Sequence, residues 1–367
     1  MKQQLSHLQF TFLMIWVVMG NGILFLPSAL AQFVVRDGWM SAILLIISTS
    51  FLAGVAALYV RTFSSHSLVQ SLIIALGPWL GRFLGIYYLL WLSISTCMFL
   101  RKFTFYVEDT ILPQTPSYVL AGLFIIPIAY ATWHGIEVIG RLAEILTPLA
   151  MLVTAGLSVL MMRHMDFTHI TPILADGWTP VLRGAVIPWR FSTELMLCLM
   201  FLPNVKDPSK SLGKNLFLIG LVLTVSGVFA EVLIVGILGQ QVTFSEYPIL
   251  EAVRTIQLGA FLSRLDPLYA MGTVSILILK LTIYQYAWFL ALKDLLHLPS
   301  YRPIVTSGTF ALWAGSMILF HDLPSLDRYG IDTVPAFFAS ALVLLPLLSI
   351  LTMAIRKWIG KLPSTVS

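Results

Sequence analysis

Apolar residues in this chain run in long blocks rather than in alternation. A helix needs about 20 apolar residues to cross the hydrocarbon core of a bilayer. Ten blocks reach that length: about 9–35, 38–60, 83–105, 117–133, 142–162, 181–203, 215–239, 267–290, 303–320 and 334–355. Polar residues gather in the short connectors between them, and none is long enough for a separate soluble domain. The pattern predicts an all-α integral membrane protein of ten transmembrane helices, a single membrane domain over 1–367.

One connector has its own periodicity. In 246–264, EYPILEAVRTIQLGAFLSR, Ile249, Val253, Ile256, Ala260 and Phe261 repeat at helical spacing, with Glu251, Arg254 and Arg264 off that stripe. The segment is too short and too charged to span, so it predicts an amphipathic helix on the outer face. A different ambiguity sits in GNGILFLPSALAQ, Gly20 to Gln32. Ala29-Leu30-Ala31 resembles a signal-peptide cleavage site, with Lys2 as the basic region. The apolar stretch is longer than the usual 7–15 residues of such a peptide, and the basic region is one lysine. The expectation is a retained membrane helix.

Composition agrees. Hydrophobic residues make up 58% of the 367 and charged residues 11%, against about 25% charged in soluble domains. Mean hydropathy is +0.90. The net charge of +5 does not argue for nucleic acid, because basic residues confined to loops are what the positive-inside rule produces. With the N-terminus inside, the cytoplasmic side collects twelve Lys and Arg, the opposite side eight, and Arg190 and Lys280 fall within spans. Both termini are therefore expected to be cytoplasmic. Cys97 and Cys198 lie in apolar segments and read as small buried hydrophobes. The seven histidines show no metal-ligand spacing. No nucleophile–base pair, phosphate loop or metal constellation is present, so no cofactor is implied and an enzyme is disfavoured.

Ten spans divide into five plus five, with halves at about 9–162 and 181–355. The first span of each half carries helix-breaking chemistry near mid-membrane. Span 1 has Gly20-Asn21-Gly22, with Pro27 beyond; span 6 has Ile187-Pro188-Trp189-Arg190. Glycine frees the backbone and proline removes a donor. Interrupted spans at corresponding places in two halves point to a transporter-type binding site, where half-helix N-termini offer free N–H groups to a carboxylate.

Four ionisable residues lie well inside spans: Arg190, Glu194, Glu231 and Lys280. Each costs roughly 2.5–3.5 kcal/mol at a helix centre, so they must pair or line a polar cavity. Arg190 and Glu194 share a face if span 6 stays α-helical, and are expected to pair or to meet a substrate carboxylate. In five-plus-five folds span 8 packs on the break in span 1. Lys280 there would place its ammonium where a sodium-coupled relative holds sodium, a cation-site substitute. Thr273, Leu277 and Tyr284 share its face. Glu231, in the outer half of span 7, reads as a satisfied structural acid.

Together these residues resemble a known family, the B subunits of bacterial spore germinant receptors, or endospore germination permeases, within the amino acid–polyamine–organocation superfamily. The resemblance rests on GNGILFLPSALA at Gly20 to Ala31, on Glu194 followed by LMLCLMFLP and a basic loop, on Arg264-Leu265-Asp266 opening span 8 with Lys280 fourteen residues on, and on length and layout. It covers essentially the whole chain. It implies a five-plus-five inverted repeat of the leucine-transporter type with helices 1 and 6 broken, and a spore inner membrane location. It also implies partners: a channel-like A subunit and a lipoprotein C subunit. The B subunit is taken to sense the germinant, usually an amino acid, with Gly20, Asn21, Gly22 and Ile23 cradling its backbone and Glu194 and Lys280 supporting the pocket. One departure is Phe191-Ser192-Thr193 where the family tends to have Pro-Phe-Gly, with Pro188 and Arg190 upstream. The added cation would favour an acidic or anionic ligand. The competing function is a proton-coupled amino acid permease, and a third is a scaffold with a vestigial pocket.

Overall fold

The computed structural model describes residues 4–64, 66–256 and 265–359, with backbone alone for 21, 23, 209 and 210. These residues are almost wholly helical; an isolated bridge between Leu5 and Val205 is the extended pairing among them. The chain opens with α1 (His7–Ala31), started by a capping box in which Ser6 and Gln9 exchange side-chain-to-backbone hydrogen bonds. Next come α2 (Gly38–Ile43), α3 (Leu45–Phe63) and α4 (Leu68–Leu76), the last also opened by a capping box, Ser67 with Gln70. Gly77, at φ +86°, makes the corner into α5 (Pro78–Thr110), a conformation that costs any other residue a β-carbon clash. Then follow α6 (Ser117–His134), α7 (Ile136–Met161), α8 (Trp178–Gly184), α9 (Val186–Thr193), α10 (Pro208–Leu238), α11 (Pro248–Arg254), α12 (Asp266–Leu295), α13 (Val305–Leu319), α14 (Leu323–Asp332), α15 (Val334–Ala339) and α16 (Leu345–Trp358).

Among the described residues, seven helices are long and apolar enough to cross a membrane, or nine if each of two bent pairs counts as one span. The bent pairs are His7–Gly20 with Leu24–Ala31, at 43°, and Arg302–Leu319 with Leu323–Asp332, at 97°. The remaining predicted span, 181–203, is helical in pieces: α8, α9 and a 3-10 run over Glu194–Met200. Because it is broken, none of its pieces is long enough to cross a membrane alone. Tight winding with three residues per turn is poor for long runs and marks strain or function.

Large apolar side chains point outward around the belt, among them Ile145, Leu152, Met271 and Phe310. That surface suits lipid, where helices satisfy their backbone groups internally. The interior is aromatic, and Tyr59, Tyr88, Trp91, Tyr106, Tyr284 and Tyr286 are fully buried.

One expectation is met over its described part and one needs correcting. The amphipathic helix over 246–264 is helical over Pro248–Arg254, with Thr255 in a turn; 257–264, including Arg264, lie outside the described residues. Arg101 and Lys102, near the end of the predicted span 83–105 and among the eight basic residues assigned to the side opposite the N-terminus, are buried within α5, which runs five residues past that span. At 33 residues it is ~50 Å long at 1.5 Å per residue, well beyond the hydrocarbon core.

Candidate functional site

The centre of the bundle is built around one ion pair. Lys280 of α12 places Nζ 2.5 Å from Oε2 of Glu194, and both side chains are essentially inaccessible. The Tyr284 hydroxyl, one turn along α12, donates to the same oxygen at 3.1 Å. The Lys280 ammonium also lies 4.4 Å above the Phe99 ring of α5. An isolated ion is prohibitive at this depth, so a partner, a hydroxyl and an aromatic face together replace its hydration.

α1 meets this pair through Gly20. A β-carbon there would come 2.7 Å from Cδ of Lys280, so only glycine lets the lysine stem lie across the helix. Gly22, two residues on, faces open space. With Pro27, Pro188 and Phe191 it lines an apolar cavity of about 60 Å³. The two predicted breaks are thus brought to one place. α1 stays helical through its bend, whereas the second segment changes from α to 3-10 at Glu194. Of Asn21 and Ile23 the backbone alone is described, so their side-chain roles lie outside the described residues.

The expected Arg190–Glu194 pair is not formed among the described residues. The change of winding at Glu194 turns its carboxylate off the Arg190 face and toward α12. Arg190 is 4% exposed, its Nε has no hydrogen-bond partner, and its guanidinium lies 4.9 Å from the Phe191 ring and 5.7 Å from Phe338. Thr273, two turns from Lys280, is buried and donates to the Tyr269 carbonyl at 3.0 Å. Glu231 is buried, but its Oε1 has no partner, so it is not a satisfied acid.

Several central residues escaped the sequence reading. Tyr88 OH, Trp91 Nε1 and Ser95 Oγ of α5 are buried without hydrogen-bond partners, as is Glu194 Oε1. Trp91 stacks on Tyr88 at 5.5 Å and reaches Tyr284 at 6.2 Å. Buried polar groups normally find partners, and Trp91 connects this orphaned set to the pair through Tyr284, which donates to Glu194. The signal was present: three polar-tipped residues within one apolar block.

A second charged group lies at the end of the bundle where α1 finishes. Lys102 Nζ makes a 2.6 Å bridge to Asp327 of α14 and sits 3.9 Å over the Phe25 ring. Its neighbour Arg101 donates to the carbonyls of Phe320 (2.9 Å) and His321 (3.1 Å). Two adjacent cations of α5 therefore hold the elbow between α13 and α14. Lys102, Arg190, Glu246 and Asp327 all line a pocket of about 220 Å³.

Broken spans around a buried ion pair define a helical membrane protein of transporter architecture, and solved structures agree. Mhp1, a nucleobase-cation-symport-1 family transporter in a closed conformation with bromovinylhydantoin bound, superposes over 98% of this chain and 80% of its own, with a TM-score of 0.61 at 11% identity. MhsT in complex with L-phenylalanine superposes over 98% and 90%, with a TM-score of 0.63 at 14% identity. The fold is of the leucine-transporter type. The chain belongs to the spore permease family, described as spore germination protein, which it matches over residues 4–322. Spore germination protein KB of Bacillus subtilis is 25% identical over 295 residues, covering 78% of this chain and 77% of its own. Spore germination protein XB of Bacillus anthracis is 25% identical over 241 residues, covering 63% and 64%.

Proposed function

We infer that this chain is the germinant-sensing subunit of a spore germination receptor and that its ligand is a free amino acid. The observation that carries the reading is the buried Lys280–Glu194 pair, set against Gly20 and surrounded by unpartnered polar groups of α5. Ligand binds mid-membrane at the bends of α1 and the 181–203 segment, with Gly20, Asn21, Gly22 and Ile23 at its backbone and Glu194, Lys280, Arg190 and Thr273 supporting it. The halves 9–162 and 181–355 act as an inverted repeat, and ligand shifts their equilibrium by binding one arrangement more tightly than the other. A channel-like A subunit and a lipoprotein C subunit read that shift. Both termini face the spore core across the inner membrane. The protein binds rather than transforms its ligand, and Lys280 stands in for a coupling cation.

Spores lacking this gene test the reading through dipicolinic acid release against single amino acids, sugars and nucleosides. Loss of response to amino acids alone is expected. The second reading, a proton-coupled amino acid permease, is favoured by the likeness to two transporters. An unchanged germination profile together with amino acid uptake by liposomes holding the purified chain would select it.

A further inference from the structure

The 220 Å³ pocket lies between the end of α1, α5, α9, α14 and the connector after α10. It is smaller than the roughly 300–1,000 Å³ of drug-sized sites, which limits it to small solutes. Its four charged residues are not equivalent. Lys102 and Asp327 satisfy one another. Arg190 and Glu246 are left, opposite in sign, and among the described residues no ion pair closes between them or on either of them. Arg190 is buried with Nε unpartnered, and the Ser245 hydroxyl beside Glu246 is likewise buried and unpartnered. Leaving a buried guanidinium N–H without an acceptor is costly, and the pocket leaves room for a carboxylate to reach Arg190 from outside. Phe25, Ala29, Phe244 and Ile331 supply an apolar wall.

We propose that this pocket is a second, outer binding site for a free zwitterionic amino acid, with Arg190 taking the α-carboxylate and Glu246, seconded by Asp327, taking the α-ammonium. The proposal rests on the reading that the chain binds amino acids, and it adds a place and a division of labour. The apolar wall selects uncharged side chains, so the extra cation at Arg190 does not call for an acidic ligand. Arg190 precedes Glu194 by four residues, ~6 Å along a helix. Arg190 is therefore shared: it takes the carboxylate in the outer pocket and supports the ligand again at the buried pair, so occupancy of the outer pocket is a stage before the central one. Partial burial and the Asp327 and Asp109 carboxyls raise the Glu246 carboxyl above its ordinary value. An incoming ammonium relieves that crowding.

The test reads the pocket locally. Thr243 is exposed and lines it, while the native Cys97 and Cys198 are buried. Thr243→Cys in the full chain, reconstituted in lipid nanodiscs, gives one accessible thiol for a charged methanethiosulfonate. L-Alanine and L-valine are expected to slow its labelling. L-Alanine methyl ester, which lacks the carboxylate, and N-acetyl-L-alanine, which lacks the ammonium, are expected to require roughly tenfold or higher concentration, since each forfeits a charge-assisted contact. Glu246→Gln, at an exposed position, should remove protection by L-alanine, and Arg190→Gln should do the same. Gly22→Val, which crowds the central cavity, should leave it in place. Protection that survives Glu246→Gln overturns the proposal, as does equal protection by all four compounds or by none. Protection lost in Gly22→Val but kept in Glu246→Gln also overturns it, and leaves the central site standing.

Discussion

Gly20 and Lys280 touch so closely that a single methyl group will not fit between them: a β-carbon on Gly20 would lie 2.7 Å from Cδ of the lysine. The lysine stem cannot swing aside, because its ammonium is held by Glu194. Gly20→Ala should therefore cost about 1–3 kcal/mol, the range for overpacking. Gly22→Ala has open space and should be neutral or stabilise by about 0.5–1 kcal/mol through helix propensity. Thermal unfolding of the two purified variants in detergent decides it; equal melting points would show that the close approach carries no strain.

The pair itself should behave as one unit. Lys280→Met or Glu194→Gln alone leaves a group in the core without its opposite charge, and about 3–5 kcal/mol is expected from breaking such a buried pair. The double variant should recover most of that stability while failing to restore the germination response that the proposed function assigns to the pair. A double variant no more stable than the singles would show that the two residues do not act through each other.

Glu231 makes the opposite case. It lies on α10 beside Gly38, where a β-carbon would sit 3.8 Å from its carboxyl, and its Oε1 has no partner. With nothing offsetting its burial, Glu231→Gln should leave the melting temperature unchanged or higher. A clear loss of stability would mean that the acid has a role that this arrangement does not explain.

Glu246 predicts a pH dependence. Its carboxyl is raised above 4.5 by partial burial first, then by Asp327 and Asp109, with Lys102 opposing. The folded protein thus holds this proton more tightly than the unfolded chain does. The resulting stability is fully present below the unfolded value and is lost as pH rises through the folded one. Glu246→Gln should flatten the part of the melting-temperature profile that begins at the ordinary glutamate value and extends above it, relative to wild type. Superimposable profiles would refute the crowding.

What could be read from the chain alone followed the cost of charge in lipid. Lys280 and Glu194 stood out because neither survives there unaided, and glycine and proline marked where spans 1 and 6 deform. The partner of Glu194 was not legible, because it depends on the switch to tighter winding at that residue, and no residue-type preference announces that switch. Arg101 and Lys102 were misread for a related reason. They were counted with the charges of the far side, whereas α5 carries them buried because the α13–α14 elbow brings carbonyls and a carboxylate to them. Tyr88, Trp91 and Ser95 hid inside a block whose average was apolar.

That elbow has a mechanical meaning. α14 lies at 97° to the helix before it, so it acts as a crossbar rather than a column. Lys102 grips the crossbar at Asp327, and Arg101 grips its root. A solute ammonium that draws Asp327 away from Lys102 would free the outer end while the root stays clamped. The two grips are separable, one at the root of the crossbar and one along its length, so a change at Asp327 alone would load α14 off its axis, next to the start of α15.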